Sequence, residues 1–134
     1  MSWDVTVQRF SREYAAIEDI PETERCVPLG ARTEVHAAIS RHFAATDWAD
    51  PAWGVFDSPG GSIEFNLGRD EPNEGFMMHI RATAGIVQPI VAMCIAERWQ
   101  ALDCSTGAFL EQVGDPSAGL EQWTAYRNQV VGDP

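Results

Sequence analysis

The sequence predicts an α+β fold, and three features point to it. Short stretches alternate apolar and polar residues with the period of a half-buried strand. Two longer stretches carry the three-and-four spacing of a helix, and turns rich in Pro and Gly separate the segments. In chain order they read β-α-β-β-β-α-β, followed by a C-terminal helix. Both internal helices are then expected on one face of a mostly antiparallel sheet of about five strands, a two-layer sandwich. The right-handed rule for crossover connections favours a ferredoxin-like variant with an extra strand.

Trp3 to Phe10 opens the sheet, with Trp3, Val5 and Val7 on one face. Ser11 to Val27 is a loop broken by Pro21, and Tyr14, Ile17 and Ile20 are its candidate tethers. After Pro28-Leu29-Gly30 a helix is expected over about residues 31–44, burying Val35, Ala38, Ile39, His42 and Phe43. Asp47 to Pro51 reads as a turn, because Pro51 biases Asp50 away from helix. Strands follow over residues 53–57, 62–68 and 75–82, with Ser58-Pro59-Gly60-Gly61 as the first hairpin turn and the acidic stretch 68–74 as the second connection. Residues 85–99 read as a helix apolar almost all round, expected to be the more buried of the two, with Pro89 tolerated in its first turn. A short strand over 100–104 and a strand or extended arm over 108–113 come next. Ser117 then caps a helix to about Val131, apolar through Leu120, Trp123, Val130 and Val131. The 134 residues form one domain, 1–134, with its core over about residues 3–113.

Charge narrows the function. The chain has 20 Asp and Glu against 9 Arg, no Lys, and a net charge of -11. Such a chain repels phosphate backbones, which argues against nucleic-acid binding. No apolar run reaches the ~20 residues of a membrane helix, and Met1-Ser2-Trp3-Asp4 lacks the regions of a signal peptide. Cys26, Cys94 and Cys104 are odd in number and pair at short spacing neither with one another nor with His36, His42 or His79. No metal centre or cofactor is expected on that pattern, and a reduced, cytoplasmic protein is the simplest interpretation.

Strand alternation sorts the sheet into two faces. Ile63, Phe65, Leu67, Phe76, Met78 and Ile80 should lie beneath the helices. The other face then shows Glu64, Asn66, His79 and Arg81, joined by Asp4, Thr6 and Gln8. A catalytic reading makes His79 an acid or base, Glu64 its orienting partner and Arg81 an anion holder. A flat sheet with no nucleophile favours instead a solvated face of cross-strand pairs, or a docking surface for a protein. Ser58-Pro59-Gly60-Gly61-Ser62 lacks the Lys and spacing of a phosphate loop. Residues 70–74 lack the alternating ligands of a calcium loop, and Cys104 has no neighbouring base to activate it. Of the five tryptophans, Trp3 and Trp99 belong to the core by position, while Trp48 and Trp123 are the candidate aromatic anchors of an interface.

Pro28-Leu29-Gly30, Trp53-Gly54, Ser62-Ile63-Glu64-Phe65-Asn66 and the run from Trp99 to Phe109 resemble small uncharacterised bacterial proteins. Some of these are thought to be immunity proteins, encoded beside polymorphic or contact-dependent toxins. The resemblance spans most of residues 3–110. It implies a non-enzymatic protein that neutralises a partner protein. Acidity adds that the partner has a basic surface, as a toxin or nuclease would, met by Glu18, Asp19, Glu22, Glu24, Asp70, Glu71 and Glu74. A phage-type inhibitor that mimics DNA is the alternative, and a small enzyme using His79, Glu64 and Arg81 the second.

Overall fold

The computed structural model describes residues 1–130. Its elements are β1 (Trp3–Gln8), α1 (Arg32–His42), β2 (Asp47–Asp50), β3 (Trp53–Ser58), β4 (Gly61–Asn66), β5 (Phe76–Ala82), α2 (Val87–Glu97), β6 (Gln100–Asp103) and α3 (Ala118–Val130). Short 3₁₀ turns lie at Ile17–Asp19, Ala84–Ile86 and Leu110–Gln112. The strands form one sheet in the order β2-β3-β4-β5-β1-β6, and every neighbouring pair is antiparallel. β1 lies between β5 and β6, which therefore run parallel to each other and are joined through α2.

Alternation decides which face is dry. Trp3, Val5 and Val7 are buried on β1, Ile63 and Phe65 on β4, and Phe76, Met78 and Ile80 on β5. Register places Val5 and Phe65 on either side of Met78, and Trp3 and Ile63 on either side of Ile80, so these side chains form one layer. Val35, Ala38 and Ile39 of α1, Val87, Ile90, Met93 and Cys94 of α2, and Leu120 of α3 close over the same cluster. All three helices thus take their stability from one apolar surface, as amphipathic helices of this length must. At their C-terminal ends α1 and α2 meet through a carboxylate: Arg41 donates to Glu97 at 2.8 Å, and His42 Nε2 lies 3.1 Å from its other oxygen.

The structure corrects several expectations. Residues 47–50 are not a turn but the edge strand β2, which raises the sheet to six strands. Pro51 does keep Asp50 out of helix, but an extended residue before a tight connection also ends a strand. β2 has only Trp48 half-buried among exposed neighbours, so no alternation marks it. The arm over 108–113 is a single bridge, Leu102 to Phe109, followed by a 3₁₀ turn. Within the long loop Tyr14 is the tether, whereas Ile17 is exposed. α2 buries four residues to the three of α1, although its Ile95 stands in solvent. Asp103, whose face the short β6 left open, points into the core, where Trp3 Nε1 donates to it at 3.0 Å. The expected helix end at Val131 lies outside the described residues.

Phe65 touches the layer at its centre, with Phe43, Trp48 and Phe76 rings around it. Phe65→Ala is expected to cost about 3–5 kcal/mol in a urea melt, from lost transfer energy and the cavity left behind. Glu97 gives a pH-dependent counterpart. Burial pushes its carboxyl up, but the hydrogen bonds from Arg41 and His42 outweigh burial and hold it below the ordinary value. The stabilisation from its ionised form is therefore present above the ordinary carboxylate pKa and is lost as pH falls through the lower, folded value. Glu97→Gln should be less stable than wild type at neutral pH by about 1 kcal/mol or less, and acid melts should close that gap.

Candidate functional site

The solvent face of the sheet assembles the residues expected there, but with different partners. Glu64 and His79 are opposed in the register of β4 and β5. The Glu64 carboxylate nevertheless turns to Arg81, whose Nη1 donates to it at 3.1 Å, while Arg81 Nε donates to the Met1 carbonyl at 2.9 Å. His79 is held instead from β1: its Nδ1 lies 2.9 Å from Asp4 Oδ1, which also accepts from Ser2 Oγ at 2.5 Å. Trp53 of β3 stacks over the imidazole, centroids 5.6 Å apart and planes within 18°. The face thus carries an Arg–Glu ion pair and a His–Asp hydrogen bond on adjacent rows, with an indole over the imidazole. Sequence reasoning placed Asp4 on this face but gave the orienting role to Glu64, and it missed Trp53. Alternation shows both on the solvent side of their strands; it cannot say which neighbour a long side chain chooses.

No Ser or Thr hydroxyl bonds to His79 among the described residues, and Thr6 donates to Met77 Sδ at 3.4 Å. Neither the cavity of about 920 Å³ nor the hollow of about 300 Å³ is lined by His79, Glu64 or Arg81. Among the described residues no three His, Cys, Asp or Glu side chains are grouped to hold a metal. As cross-strand pairs, these contacts contribute roughly 0.2–1 kcal/mol each.

The acidic loops have more to offer. They lie far apart in sequence, yet Asn73 clasps them together. Leu29 N donates to the Asn73 carbonyl at 2.7 Å, and Asn73 N donates to Gly30 O at 2.8 Å. The buried carboxamide donates to Leu67 O at 3.0 Å and accepts from Gly75 N at 3.1 Å. The first loop therefore ends where the second is anchored. Between them sits Cys26, whose thiol is pushed up by burial and then by the carboxylates of Glu74 and Glu24, one from each loop.

The sequence-selected carboxylates divide into two kinds. Glu24 is a structural staple: it accepts from Ser11 N at 2.7 Å, Ser11 Oγ at 2.8 Å and the Tyr14 hydroxyl at 2.8 Å. The two bonds from Ser11, then that from Tyr14, hold its carboxyl below the ordinary value. Glu71 accepts from the Arg32 amide at 3.0 Å, at the first turn of α1, where a negative charge suits the helix dipole. Glu18, Asp19, Glu22, Asp70 and Glu74 are exposed and form no salt bridge among the described residues.

Neither candidate tryptophan stands free. Trp48 lies against Gly54, where an added Cβ would come within 2.5 Å of its ring. Its indole stacks on His36 of α1 at 4.0 Å and donates to Ser40 Oγ at 3.2 Å, so it fastens β2 to α1. Trp123 packs half-buried on the core, with the Arg127 guanidinium 5.2 Å from its ring centroid. Both are better described as packing residues than as anchors. In comparisons with known proteins, no family model, curated protein or solved structure matches this chain.

Asn73 supplies a direct test of the clasp. Asn73→Ala removes the partners of Leu67 O and Gly75 N, and each buried group left unsatisfied costs about 1–3 kcal/mol. The variant should be destabilised by about 2–4 kcal/mol in a urea melt, and Cys26 should react faster with a thiol reagent as the two loops separate.

Proposed function

We propose that this protein is a non-enzymatic binding protein that captures and neutralises a basic partner protein, in the manner of a toxin immunity protein. The observation that supports this reading is the junction of the two acidic loops at Asn73, with Glu24 and Glu74 both acting on Cys26. Two carboxylate-rich segments on one side of the fold make a local negative field, and such a field raises the association rate of a basic partner. The carboxylates lie on loops and not in rows along one element, which favours a protein partner over mimicry of a phosphate backbone.

The remaining parts of the reading fit together. With β2 and β3 set aside, we read the strand order β4-β5-β1-β6 and the intervening α1 and α2 as a ferredoxin-like two-layer sandwich, to which β2 and β3 add a hairpin. Three free cysteines suit a reducing cytoplasm, where a neutralising protein would meet its partner before release.

Affinity capture from the native host, followed by association kinetics, tests the proposal. Reversing Glu18, Asp19, Glu22, Asp70 and Glu74 to Arg should change stability little, because exposed charges contribute about 0–1 kcal/mol each. The same reversals should slow association with the captured protein by about tenfold or more, and raised salt should slow the wild type in parallel. A captured partner whose on-rate ignores both salt and charge reversal overturns the electrostatic reading.

A further inference from the structure

The larger of the two cavities borders the first acidic loop through Ser11, Arg12, Glu13 and Val27, yet it gathers arginines. It encloses about 920 Å³ between the end of β1, the C-terminal end of α2 and the 3₁₀ turn after β6. Three of the chain's 9 arginines line it, Arg9, Arg12 and Arg98. None of them makes a salt bridge among the described residues. Arg9 is fixed by carbonyls, donating to Pro28 O at 3.2 Å and Glu97 O at 3.0 Å. Arg12 lies over the Tyr14 ring at 5.0 Å. Arg98 has φ 61°, a left-handed conformation that usually falls to Gly or Asn at a helix end. An arginine there occupies a costly backbone position.

The cavity also has an apolar wall. Phe10, Val27, Ile95 and Trp99 line it, and Ile95 is 63% exposed, the most exposed large apolar side chain of the described residues. Two carboxylates also line it, each bonded to a neutral donor. Glu13 accepts from Gln112, and Glu111 accepts from Ala101 N at 3.1 Å. The three arginines outnumber these carboxylates and make no salt bridge with them, which leaves Arg12 and Arg98 available to an outside anion. The volume falls within the range of sites for small organic ligands, about 300–1,000 Å³.

We propose that this cavity binds a small organic anion, its carboxylate or phosphate head held by Arg12 and Arg98 and its apolar body against Phe10, Ile95 and Trp99. The site goes beyond partner capture and contains none of the five carboxylates reversed in that test, so the two readings fail separately.

Titration of the isotope-labelled protein followed by NMR decides it, with the Trp99 indole signal assigned through Trp99→Phe. The probes are naphthoate, naphthyl phosphate and the neutral naphthylmethanol. Both anions should move the Trp99 indole signal saturably, and the alcohol should bind about tenfold more weakly or worse. Arg12→Gln, and Arg98→Asn, which tolerates left-handed backbone, should each weaken the anions by about tenfold, the scale of one charge-assisted hydrogen bond. Arg69→Gln should leave binding unchanged. Preference for naphthoate alone identifies a carboxylate site, and preference for the ester a phosphate site. Equal binding of the alcohol, no effect of Arg12→Gln in the folded protein, or no movement of the Trp99 signal overturns the proposal.

Discussion

The Asn73 carboxamide lies 1% exposed, donates to Leu67 O, and accepts from Gly75 N, while its own backbone pairs in both directions with the 29–30 segment. A polar side chain this deep is tolerated only when its groups are satisfied. That requirement fixes three things at once. It sets the path from β4 to β5, it delivers the chain into α1 next to Glu71, and it brings the end of the first acidic loop against the second. Apolar packing could not do this, because the 68–74 stretch has no apolar residue of size to bury. The acidic junction is therefore a by-product of hydrogen-bond satisfaction at one residue.

Much of the fold was legible because the sheet has one dry face. Strands with period-two burial, β1, β4 and β5, declare themselves, and the buried stripe of α1 does so at helical spacing. β2 was not legible for the opposite reason. An edge strand needs no buried face, and its Asp and Ala residues carry the composition of a loop. Gly54 held the missing clue: a glycine inside a strand marks a close approach, here by the Trp48 ring. Asp103 was ambiguous because four residues of β6 are too few to establish a phase, and its partners, Trp3 and Ser105, are known only from the folded geometry.

The candidate sites were legible to different degrees. Membership of the solvent face followed from alternation, so His79, Glu64 and Arg81 are where they were expected. Pairing did not follow, because Asp4 and Glu64 flank His79 equally in register and only side-chain geometry separates them. The acidic loops were visible as composition, but their junction depends on a contact between residues 29–30 and 73. Arg9, Arg12 and Arg98 were invisible as a group, since the last joins the others only through the pairing of β1 with β6.

How the carboxylates are satisfied determines what the protein shows to its surroundings. Arg41 and Arg81 take one carboxylate each, Glu97 and Glu64. Glu24, Glu71, Glu111 and Asp103 are bonded chiefly by amide N–H, hydroxyl and indole groups, which carry no net charge. A neutral donor orders a carboxylate as well as a cation does, but it leaves the charge uncancelled. The fold can therefore hold its acidic residues in defined positions and still project most of its negative charge. At physiological salt that field decays over about 8 Å, so it acts on whatever approaches the loops, and it meets the arginine-lined cavity at Arg12, whose charge acts on Glu24. Acidic loops and an arginine-lined cavity can adjoin in one small domain because Arg9, Arg12 and Arg98 are not consumed in salt bridges among the described residues.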